Sequence, residues 1–559
     1  MSDSEKHTIT VEDLGHDILV NNVFPYLDEK DILNLRNTSR TFREYTLDPA
    51  VWHDLYFKKF GLQPNPFTIY KWPEMYRWRS KAGLFTWGQS VGGRLGYSIN
   101  EVEEEYRPDS QFRNGVCLPR SVPGMENLIV SDVVGFGYGF AILTAEGDVY
   151  KIGELQEYVP RGINRIIRPV PSFGPTVTPN IPLIGFQIPN MPQIRGPPAA
   201  HVDRPEATIH LEGDGGARFG EGPNEPENDL VDYVGSFTIS EKAKVKKLDY
   251  YSEDNVSFVT ISCGRSHILA LDEDDNIYTW DQTFVAPGIR LTFPFTKNGV
   301  PNKVRKLAAG WNFSSALIDN VGIVVWFQDK IQPLPETYSE IKADKKSNKS
   351  VEVTNYSIIP LTNQPANSDD SIVDIMAGDN FFVYLTKKGD LYKFNIPSNH
   401  NDILTSSAIK LDLFTKELDK LSNGIGQFVK ISGTYQYFAV LSDSEHVFIG
   451  SKDFTVRDAP IVIDELQKVG CISIATGDYH FLALLRGGKL LSWGRESQGC
   501  GSLGQGKFSD SSKRGMVKDG WDLILPKPQE IHIKDNGHVL AIGAGGWQSC
   551  AIITTEPIE

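Results

Sequence analysis

One pattern recurs from residue 84 to residue 555, and it dictates strands rather than helices. An apolar stretch closes on Gly, a second apolar stretch follows, and a short polar turn leads into a third that ends in an aromatic. VTISCGRSHILALDEDDNIYTW (259–280), VRKLAAGWNFSSALIDNVGIVVW (304–326), IVDIMAGDNFFVYLTKKGDLYKF (372–394) and CISIATGDYHFLALLRGGKLLSWG (471–494) share one spacing. Gly precedes Leu by seven positions and the third stretch follows by six, as in Gly264, Leu271 and Ile277. Two further copies, 132–153 and 429–450, set the Gly one place earlier. Self-similarity at this length is the signature of a repeat architecture.

The ends of the array are incomplete in complementary ways. LFTWGQSVGGRLGY (84–97) is a second half only, and VLAIGAGGWQSCAIITT (539–555) a first half only. Joining them gives seven whole units and a ring without the exposed edges an open array would carry. The expected fold is therefore an all-β seven-bladed propeller closed by pairing of its N- and C-terminal strands. WGQSVGGRLG (87–96) and WGRESQGCGSLGQG (493–506) add a loop signature whose glycines suit turns of positive φ. EGDGGARFGEG (212–222) is a weaker echo, read as the tail of the first full unit. The pattern over about 84–555 resembles the repeat of the regulator of chromosome condensation, a family of seven-bladed propellers.

Ahead of the strands, residues 14–52 carry apolar residues in short helical bursts broken by Pro25, by DEKD at 28–31 and by Asp48-Pro49. Leu14, Ile18, Leu19, Val23, Phe24 and Leu27 make the first. Ile32, Leu33 and Leu35 make the second, started by Asp31. Phe42, Leu47, Val51 and Trp52 make the third. Helices this short need a partner to fold. The segment resembles an F-box, which implies docking on the Skp adaptor of cullin-based ubiquitin ligases. Gly15 departs from the family, which has Pro there. The expected layout is a flexible start (1–10), an F-box (11–52), a rigid helical connector (53–83) and the propeller (84–559), interrupted by a proline-rich insertion at about 155–257.

Composition narrows the function. A net charge of −15 opposes general binding to nucleic acid or anionic membranes. No stretch suits a signal peptide or a membrane span. Five dispersed cysteines without a CxxC fit a reduced compartment, cytoplasmic or nuclear, and no zinc ribbon. No catalytic motif, metal site or cofactor loop is found, and GDGG (213–216) lacks the strand and helix of a dinucleotide fingerprint. His267 and His480 share their repeat position with Phe313 and Phe381, which marks a packing site. Three loops stand out: the acidic EVEEEY (101–106), able to attract a basic client; a polar, mobile stretch at 329–371; and a short amphipathic helix at 402–421.

The combination looks like the fungal SCF-associated factor family. That resemblance implies a non-catalytic substrate receptor of a Skp–cullin–F-box ubiquitin ligase, with a metabolic enzyme, adenine deaminase, as client. Candidate adaptor contacts are Leu14, Ile18, Leu19, Phe24, Leu27, Leu33, Leu35 and Trp52, among which sequence cannot separate contact from core. Candidate client contacts are regions only, the 155–257 insertion and the inter-blade loops. The alternative is a guanine-nucleotide exchange factor for Ran or a chromatin-binding propeller.

Overall fold

The computed structural model describes residues 10–60, 71–112, 115–155, 245–281, 287–295, 303–327 and 350–555. Among the described residues five α-helices precede the strands: α1 (His16–Asn22), α2 (Glu29–Arg36), α3 (Arg40–Tyr45), α4 (Pro49–Phe60) and α5 (Trp72–Lys81). The cap of α2 is Asp28, whose carboxylate accepts from the Asp31 N–H at 2.8 Å. Asp31 stands in the first turn rather than at the start. Ser39 caps α3 in the same way, and Pro49 opens α4, where its missing N–H costs nothing. The third apolar burst therefore divides, with Phe42 in α3, Leu47 in the turn and Val51 and Trp52 in α4. Helix α4 also runs through the boundary drawn at residue 52. The partner these short helices need lies in the same chain: Leu19, Phe24, Ile32 and Trp52 share one core with Phe60 of α4, Tyr76 of α5 and Ile129.

Seven sheets follow among the described residues, antiparallel throughout save for one added parallel strand. In the closing blade, Gly83–Gln89 pairs with Gln548–Thr554 in register from Gly83↔Ile553 to Gly88↔Gln548. The C-terminal segment supplies the two inner strands there and the N-terminal segment the two outer ones, as the half-units predict. The first strands of successive blades touch around the full circle. Each also carries a bulge near its start, after the first residue in blades 1 to 6 (Val130/Asp132 in blade 1) and after the second in the closing blade (Val539/Ala541). A bulge bends a strand and increases its twist, and the seven repeat that bend at one level of the ring.

Two kinds of glycine serve this ring for different reasons. Those of the loop signature have positive φ, such as Gly88 at 105° and Gly494 at 106°. The repeat glycines do not. A Cβ on Gly477 would lie 2.1 Å from the His480 ring, and one on Gly264 2.2 Å from the His267 ring and from the Gly310 carbonyl of the next blade. Close approach, not backbone conformation, excludes a side chain there.

Several loops differ from expectation. Part of the 329–371 stretch is ordered as strands: Ser350–Glu352 pairs in parallel with Ile289–Thr292 of blade 2, while Tyr356–Ile358 completes blade 3. The loop thus stitches two blades together. The 402–421 segment is a 3-10 turn, a short outer strand (Ile409–Lys410) and then α6 (Asp412–Ser422), so the helix starts ten residues later than its leading edge suggested. Blade 1 ends on Lys246–Lys247. The 212–222 echo and most of the proline-rich insertion lie outside the described residues.

Candidate protein-docking surfaces

The structure separates the eight F-box candidates. Leu19 (0% exposed), Phe24 and Trp52 are core, and Leu27 and Leu35 pack against that core half-buried. The Trp52 indole donates to the Thr46 carbonyl at 2.8 Å and sets its ring edge-on to Tyr76. Leu14 (45%), Ile18 (49%) and Leu33 (38%) are exposed. So are Tyr26 and Leu47, neither of which the sequence reading proposed as a contact. Their signal was present in sequence, as apolar residues that the helical stripe leaves over. Gly15 sits at φ +82°, which proline cannot adopt, so this chain approaches α1 along a path closed to the usual residue. His16 ties that approach down: its Nε2 meets Asp48 at 3.0 Å and its ring meets Tyr45 edge-on.

The module is fastened to the ring. Lys59 of α4 and Tyr76 of α5 both bond Glu29 of α2, at 3.2 and 2.8 Å. Beyond them, Arg79 donates to the Ser131 carbonyl and Trp78 packs on His538. Ser131 and His538 lie where the first strands of blade 1 and of the closing blade begin. Helix α5 therefore holds the end of the ring at which the first strands start.

At the other end, the first strands stop and turn into the second. The turns of neighbouring blades meet through backbone hydrogen bonds at four junctions: Gly137 N–H to Arg265 O, Trp311 to Gly378, Asp379 to Tyr435 and Asp478 to Gly546, all within 3.0 Å. Their side chains are largely aromatic or charged. Arg94 and Arg265 both lie over the Tyr138 ring, at 5.0 and 5.6 Å, and Arg265 also lies over Trp311 at 4.8 Å. Trp311 in turn meets Tyr435 at 4.2 Å, and Tyr435 meets Tyr479. A first strand of seven residues at about 3.3 Å each puts this mouth roughly 20 Å from the α5 end.

His267 and His480 are buried and bond Ser314 and Ser549 of the next blade at 3.0 and 2.8 Å. Gln548 fills the same position in the closing blade and donates to the Phe136 carbonyl. The position is a packing site that also bonds blades together. Burial holds both imidazoles down at about 4. Between pH 6.5 and 4 the unfolded chain binds protons that the fold excludes, so these groups lower stability as pH falls, by about 3 kcal/mol each at full effect. Buried Glu496, pushed up to about 7, acts with the opposite sign as pH rises from 4.5 to 7. Comparison of variants isolates the histidines: His267→Gln with His480→Gln is expected to lose less melting temperature than the parent between pH 6.5 and 4. Equal losses would show that the histidines do not carry the acid limb.

Among the described residues no group of three His, Cys, Asp or Glu side chains is placed to hold a metal, and no helix is long and apolar enough to cross a membrane. All five cysteines are buried and unbridged. In the acidic loop, Glu103 pairs with Arg120, Glu104 with Lys507 and Glu105 with Lys534, all three carboxylates remaining exposed.

Comparison with known proteins matches both ends of this arrangement. The F-box-like family matches residues 16–58, which span α1 to α4, and the regulator of chromosome condensation (RCC1) repeat matches 471–500 in blade 6. The chain is 26% identical to SCF-associated factor 1 of Saccharomyces cerevisiae, over 96% of each. It is 23% identical to F-box protein pof9 of Schizosaccharomyces pombe, over 98% of this chain and 90% of that one. Among solved structures, Prp20p from Saccharomyces cerevisiae aligns over 88% of this chain and 96% of its own, at 12% identity and a TM-score of 0.49. The chain thus joins an F-box-like module to a seven-bladed propeller bearing the RCC1 repeat.

Proposed function

We propose that this protein is a substrate receptor of a Skp–cullin–F-box ubiquitin ligase. The observation that carries the reading is the exposed apolar set Leu14, Ile18, Tyr26, Leu33 and Leu47 on a module whose own core is otherwise filled. Exposed apolar residues grouped on one small module mark an interaction surface. In this reading they bind the Skp adaptor, which joins the receptor to cullin, and the propeller binds the client. The receptor performs no bond chemistry. It raises the effective concentration of client lysines near the charged conjugating enzyme, which requires a fixed distance between the two ends. The fastening of α5 to the ring supplies that fixed distance. The names of the two relatives, one SCF-associated and one an F-box protein, support the same reading. Adenine deaminase, implied by the sequence resemblance, is the first client to test.

The test uses surface substitutions that spare the core. Ile18→Asp with Leu33→Asp should abolish co-purification of the Skp adaptor while leaving the melting temperature within a few degrees of the parent. Undiminished adaptor capture by this folded variant would sink the proposal. Catalysed nucleotide release from Ran by the same protein would replace it with the exchange-factor reading.

A further inference from the structure

The mouth of the ring opposite α5 contains one carboxylate with an unmet demand. Asp478 follows the repeat glycine of blade 6, and its backbone N–H is used by the Gly546 carbonyl of the closing blade at 2.8 Å. Its Oδ1 is shielded from solvent and has no hydrogen-bond partner, and among the described residues the side chain makes no ion pair. An acceptor shielded in this way and left unbonded has lost its water without gaining a donor. Such groups in folded proteins call for an explanation, an absent ligand among them.

The surrounding groups indicate which ligand. Arg265 and Arg94 lie within electrostatic reach of Asp478, yet both have partners elsewhere. Arg265 donates to the Tyr138 hydroxyl at 2.9 Å and lies over the Tyr138 and Trp311 rings. Arg94 donates to the Val91 carbonyl at 3.1 Å and also lies over the Tyr138 ring. Together they do not offset the burial of Asp478, whose carboxyl is held up at about 6. The guanidinium groups are engaged with neighbouring acceptors and rings, which leaves Oδ1 as an acceptor short of a donor, and a basic side chain supplies donor and charge together. Tyr479 beside Asp478, with Tyr435 and Trp311 in contact beyond it, offers ring faces for the stem and charge of such a side chain.

We propose that the ring mouth binds a lysine or arginine side chain of the client, its charge on Asp478 and its stem along the Tyr479–Tyr435–Trp311 rings. This rests on the receptor reading for the word client, but the mouth and the F-box are separable by experiment. The full-length protein bound to its Skp adaptor is titrated with three pools of nonapeptides, otherwise randomised, with Arg, Glu or Leu fixed at the centre. Binding is read by the fluorescence of the native tryptophans and by calorimetry. The Arg pool should bind best, and Asp478→Asn should weaken it about thirtyfold while leaving the Leu pool, the melting temperature and adaptor binding unchanged. Equal or better binding of the Glu pool, no binding of the Arg pool, or an Arg pool indifferent to Asp478→Asn would each overturn the proposal. Loss of adaptor binding by the F-box variant, whatever the peptides do, bears on the receptor reading. The peptide result bears on the mouth alone.

Discussion

Truncation after Gly537 is expected to abolish cooperative unfolding altogether. The cut removes both inner strands of the closing blade, His538–Gly545 and Gln548–Thr554. Val539, Ile552 and Ile553 are each 2% exposed or less, and burial of three such side chains is worth about 5–9 kcal/mol. That is comparable to the whole stability of an ordinary domain, about 5–15 kcal/mol. The loss does not stop at the blade. His480 loses Ser549, Trp87 loses its neighbouring strand, and Trp78 loses the His538 ring on which α5 rests. The strand Gly83–Gln89 is left with a bare edge, which favours aggregation. Calorimetry and light scattering check this: a soluble, truncated protein with one sharp transition near the parent's would show that the ring does not depend on its closure.

The second large effect concerns neighbouring residues with opposite surroundings. Leu19→Asp should unfold the helical module, because it puts a carboxylate at a site with no exposure and removes a packed side chain, at a cost of about 3–5 kcal/mol or more. Ile18→Asp, one residue earlier and half-exposed, should leave the helices intact. Both variants should fail to hold the adaptor, for different reasons. Hydrogen exchange over residues 16–60 distinguishes them: protection should vanish in Leu19→Asp and persist in Ile18→Asp. Protection retained in both would mean that the core assigned to Leu19 is not needed by the module.

Much of this molecule is legible along the chain because strand repeats write their period into side chains. The spacing from Gly264 through Leu271 to Ile277 and the two half-units at 84–97 and 539–555 fix the number of blades and the manner of closure. What spacing cannot express is contact between blades. The repeat glycines are conspicuous in sequence, but their cause, a ring from the second strand lying on the Cα, depends on a neighbour three residues away folding back. The ion pairs of the acidic loop are invisible in sequence, because Lys507 and Lys534 lie more than four hundred positions later. Asp478 looks like any turn aspartate until six other turns surround it. In the helices, periodicity names the apolar residues but not which face the rest of the chain covers. Leu19 and Ile18 therefore read alike in sequence and differ in the fold.

Only Ala82 stands between the last residue of α5, Lys81, and the closing strand that begins at Gly83. The helical module is thus joined to a strand whose partner, Gln548–Thr554, lies more than four hundred positions later in the chain. At about 5–20 residues per second, the ribosome needs roughly half a minute to a minute and a half to travel from one to the other. Throughout that interval the F-box helices exist while the seat of α5 on His538 does not. The topology thereby makes the module's fixed reach conditional: it is acquired only once His538–Gly545 and Gln548–Thr554 have been made and paired.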